Sequence, residues 1–148
     1  MVTSSTAIPY RSEATTFSQG LVVLLGRFFY TAIFLIAAFG HFSKQTINYA
    51  AAQGVPLASV AVPVSGLIAL AGGLSIVVGY RAKLGAWLII LFLVPVTFMM
   101  HKFWAVSDPT MAQMQMAMFM KNVSMTGAAL LISHFGAGPL SLDARRSR

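Results

Sequence analysis

Four long apolar runs dominate the chain. Residues 20–42 (GLVVLLGRFFYTAIFLIAAFGHF) carry one charge, Arg27; residues 58–80 (ASVAVPVSGLIALAGGLSIVVGY) and 84–100 (LGAWLIILFLVPVTFMM) carry none; residues 112–136 (AQMQMAMFMKNVSMTGAALLISHFG) carry only Lys121. About 20 apolar residues, with a range of roughly 17 to 25, cross the hydrocarbon of a bilayer. All four runs qualify, the third at the lower limit, its ends extended by Lys83 and Lys102, whose long stems reach the interface. The expected fold is an all-α membrane protein, a four-transmembrane-helix bundle. Composition agrees: 57% of residues are hydrophobic and 9% charged, against about 25% charged in a soluble domain. Too few polar groups exist to coat a globule, and the length fits one domain. The chain has no cysteine, which excludes disulfides, thiol catalysis, Cys-ligated metal and iron–sulfur ligation by this chain alone.

Residues 1–17 are polar and aperiodic and read as a mobile tail rather than a signal peptide, because no short apolar core with a cleavage site precedes the first run. Residues 18–143 form the four-helix domain, and 144–148 a basic tail. GYRAKLG, between the second and third runs, is a tight connection, so those helices should be antiparallel neighbours. SKQTINYAAAQGVP is longer and accommodates a short interfacial helix ended by Gly54 and Pro56. Asp108-Pro109 reads as an N-cap followed by Pro at the first helical position, so the fourth helix starts near Pro109 and ends at GAGP, 136–139. Ser65, Ala69 and Gly73, with Gly66 and Gly72, make the second run rich in small residues. These allow close helix approach, either within the bundle or at a homodimer seam.

The net charge of +7 reflects basic loops that orient the chain in the membrane, not nucleic-acid binding. If the N-terminus is cytoplasmic, Arg11, Arg81, Lys83, Arg145, Arg146 and Arg148 share that side, with Arg27 near it. Lys44 and Lys102, with Lys121 near them, fall on the other. The bias predicts N-in, C-in, a multi-pass protein of the plasma (inner) membrane with both termini cytoplasmic.

An intramembrane charge is a functional hypothesis by default. Arg27 is expected to pair with Asp143 or to contact lipid phosphate at the inner face. His41 and His101 end the first and third runs, which point the same way, so both should lie at the outer face with Lys44, Trp104, Asp108, Lys121 and Asn122. That polar cluster at the mouth of a bundle is a candidate binding pocket, since imidazole serves as acid, base or metal ligand. Bis-histidine haem is disfavoured because Phe42 and Phe103 fill the mouth. No paired carboxylates, phosphate loop or nucleophile motif occurs within the runs, so there is no self-contained catalytic motif. His134 reads as structural. In MAQMQMAMFMKN the methionines alternate, but Ala, Gln, Met and Lys favour helix and no β-branched residue intervenes. On a helix Met114 and Met118 share a face close to Met111, while Met116 and Met120 lie on another. Packing against Phe103 or Trp104 is the expected role; Cu(I) ligation by Met111, Met114 or Met118 with His101 or Met100 is the alternative.

LGRFFYTAIFLIAAFGHFSK resembles the first helix of the DoxX family. GVPLA, GGLSIVVGYRAKLGAWLI and HKFWAVSDP resemble its middle, and FMKNVSMTGAALLI followed by GAGPLSLD resembles its fourth helix and tail. The resemblance covers about 20–143. It implies a small four-helix membrane protein, an accessory subunit of a membrane oxidoreductase or quinone-linked system, with quinone as the cofactor. The alternative is a non-catalytic binding or assembly protein that docks a larger membrane complex, with metal handling third. The lipid bilayer and either another membrane protein or a second copy are the expected partners. Reporter fusions at Gln53, Arg81, Val106 and Arg148 should read out, in, out, in; a cytoplasmic signal at Val106 refutes the orientation.

Overall fold

Lipid offers the backbone no hydrogen bonds, so an apolar chain crossing it must satisfy its amides internally. The computed structural model describes residues 13–146, and among these every regular element is helical. The elements are α1 (Glu13–Ala38), α2 (Lys44–Ala52), α3 (Ala58–Val78), α4 (Ala82–Met100), α5 (Pro109–Phe135) and α6 (Leu142–Arg146). Single 3₁₀ turns extend α1 at Phe39–Phe42 and follow α4 at Phe103–Ala105. Four helices are long and apolar enough to span a membrane: Phe17–Phe42, Ala58–Val78, Ala82–Ala105 and Pro109–Phe135. Since α1 begins at Glu13, the end of the segment read as a tail is helical; residues 1–12 lie outside the described part.

Local chemistry sets the boundaries. Ser43 opens α2 by accepting the Thr46 N–H (3.2 Å), and α2 closes in a turn at Gln53 and Gly54. Asp108 caps α5 by accepting the Met111 N–H at 2.7 Å, with Pro109 in the first turn. Both are side-chain acceptors for the orphan amides of a first turn. Pro95 and Pro63 are both carried inside unbroken helices.

α3 lies between α1 and α4, α4 packs on α5, and α2 folds over one end of α3. The core draws on all four spans: Phe34 from α1, Ala69 and Ile76 from α3, Ile89, Phe92 and Leu93 from α4, and Ala129 from α5. The small residues of α3 are spent on these contacts. A methyl at Gly72 would sit 2.9 Å from the Gly85 carbonyl oxygen of α4, and one at Gly73 would sit 3.0 Å from Leu35 of α1. The Tyr30 hydroxyl donates to the Met125 carbonyl (2.9 Å) and ties α1 to α5.

The α3–α4 turn is three residues long, Gly79 to Arg81, and two of them are left-handed: Gly79 at φ 73° and Arg81 at φ 49°. Left-handed backbone suits glycine. Here space also demands it, because a Cβ on Gly79 would collide with the Arg27 guanidinium and lie 2.5 Å from Ser141 Cβ. Gly79→Ala should therefore lose about 1–2 kcal/mol from the backbone alone, with the collision added. Gly127, in α5 with open space around it, should gain up to about 1 kcal/mol as alanine. Thermal midpoints in detergent should move in opposite directions for the two variants.

Candidate functional site

The bundle has two chemically distinct ends. At the histidine end, the 3₁₀ turn after α1 carries His41, and His101 terminates α4. Both line one cavity of about 370 Å³. Its other walls are Thr46, Tyr49 and Ala50 of α2, Val55, Ala61, Val62 and Ser65 of α3 and its lead-in, and Pro95, Val96, Met99 and Met100 of α4. The lining is mostly apolar, with a few hydroxyl and imidazole groups. Gly66 makes the approach of α1 feasible, because a Cβ there would lie 2.6 Å from the His41 Cβ.

The ring tautomers follow from the partners. His41 Nδ1 lies 3.0 Å from the Ala37 carbonyl, which can only accept. His101 Nδ1 lies 2.9 Å from the Gln115 side-chain oxygen of α5. Both Nδ1 atoms thus donate, which leaves each Nε2 as a lone-pair acceptor in the neutral ring. The His41 ring also meets Phe92 edge-on, with centroids 5.6 Å apart.

The other residues expected at this mouth do not join the cavity. Lys44 is exposed at the start of α2. Trp104 belongs to an aromatic cluster with Phe103 and Phe119, at centroid separations of 5.0 and 5.9 Å. Asp108 is engaged as a helix cap. Lys121 is exposed on α5, whereas Asn122, its neighbour, is buried. Sequence reasoning missed Tyr49, Thr46 and Ser65. The signal lay in α2: residues 46, 49 and 50 share one helical face, which turns toward α3.

The methionine stretch is corrected by the same geometry. Gln115, Phe119, Asn122, Met125 and Ala129, spaced three and four apart, turn inward on α5, while Met111, Met114, Met116, Met118 and Met120 are all exposed. Phe119, not a methionine, meets Phe103 and Trp104, because the inward face falls one residue away from the methionine positions. Met111, Met114 and Met118 are not among the residues that line the cavity with His101 and Met100. Among the described residues no group of three His, Cys, Asp or Glu side chains could hold a metal.

At the basic end, Arg27 is 3% exposed. Its guanidinium donates to the Ile76 carbonyl (3.4 Å), in the last turn of α3, and to the Leu140 carbonyl. The direct ion pair with Asp143, or a lipid contact, was expected; protein carbonyls take that place. The C-terminus of a helix carries roughly half a negative charge, so α3 supplies the compensation. Asp143 acts on Arg27 only as a neighbouring charge. Its two carboxylate oxygens accept the backbone N–H groups of Arg81 (2.8 Å) and Ala82 (3.1 Å), capping α4 from 61 and 62 residues away. Its own N–H donates to the Gly79 carbonyl (2.8 Å). Beside it, a hydrogen bond to Arg146, reinforced by the charges of Arg81 and Arg146, holds the Tyr80 hydroxyl below its ordinary pKa.

The family model that matches is the SURF4 family, over residues 51–148. This overturns the DoxX assignment. The motifs behind it lie largely at helix ends: a tight glycine-basic turn, an Asp-Pro start and a glycine-rich stop. Any short four-span bundle requires these, so they do not discriminate between families. The chain is 28% identical over 130 residues to the inner membrane protein YphA of Escherichia coli (strain K12), covering 86% of this chain and 92% of that one. It is 29% identical over 123 residues to the inner membrane protein YqjF of the same organism, covering 82% and 88%. No solved structure matches significantly.

Because Asp143 supplies both acceptors for the first turn of α4, Asp143→Ala should lower stability by about 0.5–2 kcal/mol, the usual cost of a lost helix cap. Asp143→Asn, which keeps one oxygen, should lose roughly half as much. Equal thermal midpoints for wild type and Asp143→Ala would show that the cap carries no stability.

Proposed function

The chain belongs to the SURF4 family, and from that premise we propose that this integral membrane protein is a non-catalytic accessory component that holds a quinone-type ring at the histidine end of its bundle. The supporting observation is the convergence of His41 and His101 on one cavity of about 370 Å³. Ligand pockets of this kind have apolar walls and a few placed polar groups, in volumes of roughly 300–1,000 Å³. The walls of Val62, Val96, Pro95 and Met99 suit a flat apolar ring. With each Nδ1 proton committed to the protein, each Nε2 accepts, so the reduced, hydroxyl-bearing ring is favoured over the oxidised one. The positive charge bias supports an outer-leaflet position for this end, where such a ligand would enter laterally from lipid.

A second reading, docking to a larger membrane complex, is favoured by α5. It is the least apolar and least covered of the four spans, and its outward face carries Lys121 with five methionines.

The test uses a short-chain benzoquinol analogue titrated into the detergent-purified protein. Saturable binding is expected, with at least about tenfold weaker binding in His41→Leu and in His101→Leu, as expected when a buried acceptor for a ligand hydroxyl is lost. His101→Asn, which keeps a polar group, should fall between. Unchanged affinity in all three variants would remove the ring-binding reading.

A further inference from the structure

The basic end of the bundle holds an opening of about 540 Å³ where the start of α4 meets the end of α5. Its polar wall is Arg81 and Lys83, and its apolar wall is Leu84 and Phe135. Phe135, the last residue of α5, is 75% exposed and Leu84 is 54% exposed. The Lys83 stem runs along the glycine turn that ends α5, its Cε 3.5 Å from where a Gly136 Cβ would stand. Among the described residues the Lys83 ammonium has no hydrogen bond or ion pair.

One carboxylate lines the opening, Asp143, and both its oxygens are committed to backbone N–H groups of Arg81 and Ala82. Arg81 lies over the Tyr80 ring (5.7 Å to the centroid), as does Arg146 (5.3 Å). The aromatic ring thus gathers a second guanidinium to the same corner. Among the described residues Arg81, Lys83 and Arg146 outnumber the single carboxylate of this corner, Asp143.

We propose that this opening binds the phosphate head group of an anionic phospholipid. Arg81 and Lys83 take the phosphate, and Leu84 and Phe135 flank the first methylenes of the acyl chains. Height along the membrane normal supports a lipid over a free anion. The two cations immediately precede the apolar run of α4, so they sit at the level where phosphates meet hydrocarbon. A soluble anion needs only the cations, whereas the two exposed apolar side chains beside them fit a ligand that is charged at one end and apolar at the other. The proposal does not depend on the ring-binding reading, since the two openings lie at opposite ends of the bundle.

Native mass spectrometry of the detergent-purified full chain tests it, with phosphatidylglycerol, phosphatidylcholine and inorganic phosphate as separate titrants. Phosphatidylglycerol should bind in preference to phosphatidylcholine. Each cation near a membrane surface contributes enough that Lys83→Gln should weaken phosphatidylglycerol binding about fivefold, and Arg81→Gln with Lys83→Gln about 25-fold. Lys44→Gln, at the opposite end, should leave binding unchanged. Phe135→Ala should weaken phosphatidylglycerol binding as well. Lys83→Gln leaves the α4 cap intact, so it reports on the site even if the double variant unfolds. Equal phosphatidylglycerol binding by wild type and Lys83→Gln overturns the site. Inorganic phosphate that displaces the lipid, together with no effect of Phe135→Ala, overturns the lipid as its occupant.

Discussion

A guanidinium buried within a membrane span must be compensated where it stands, and the basic end of this bundle is built around that requirement. An uncompensated Arg at the centre of a span costs several kcal/mol or more. For Arg27 two backbone carbonyls, one from the last turn of α3 and one from the segment after α5, offset part of that cost, while its buried Nε is left without a hydrogen bond. To reach them, its head group must occupy the space over Gly79, which explains why a side chain cannot stand there. The segment that supplies Leu140 goes on to place Asp143 against the first turn of α4. One cation in α1 therefore fixes the exit of α3, the entry of α4 and the course of the chain beyond α5.

The histidine end is organised differently. Its elements meet through the apolar contacts of Ala50, Ala58 and Val62 and through isolated side-chain bonds, such as the Lys102 ammonium donating to the Gln53 carbonyl (2.9 Å). Its cavity is walled mostly by apolar side chains. Concave, mostly apolar surfaces are where ligands bind; at the basic end an opening stands beside the hydrogen bonds that hold α4 to the segment after α5.

The spans, the Asp108 cap, the α3–α4 turn and the short helix between the first two spans were all legible in the sequence, because each rests on a local rule of hydropathy or capping. Convergence of His41 and His101 was also legible, since two spans of the same direction end at the same height. The face that α5 turns inward was not. Its outer surface is as rich in methionine as a core, and in a membrane hydrophobicity no longer separates inside from outside, so periodicity could not tell Phe119 from Met118. The partners of Arg27 were equally hidden. A charge in a span suggests a countercharge, and Asp143 was the nearest candidate, but main-chain carbonyls leave no trace in residue identity.

The contact between Arg27 and Leu140 spans 113 positions along the chain. At about 5–20 residues per second of synthesis, roughly 6–23 s separate the appearance of the two. Over the first 49 of those positions α1 has its guanidinium and neither of its final acceptors, since Ile76 of α3 is still to come. Until then the charge needs water or lipid phosphate as its solvent. The second acceptor exists only once Leu140 has been made, so the basic end cannot close before the segment after α5 is in place.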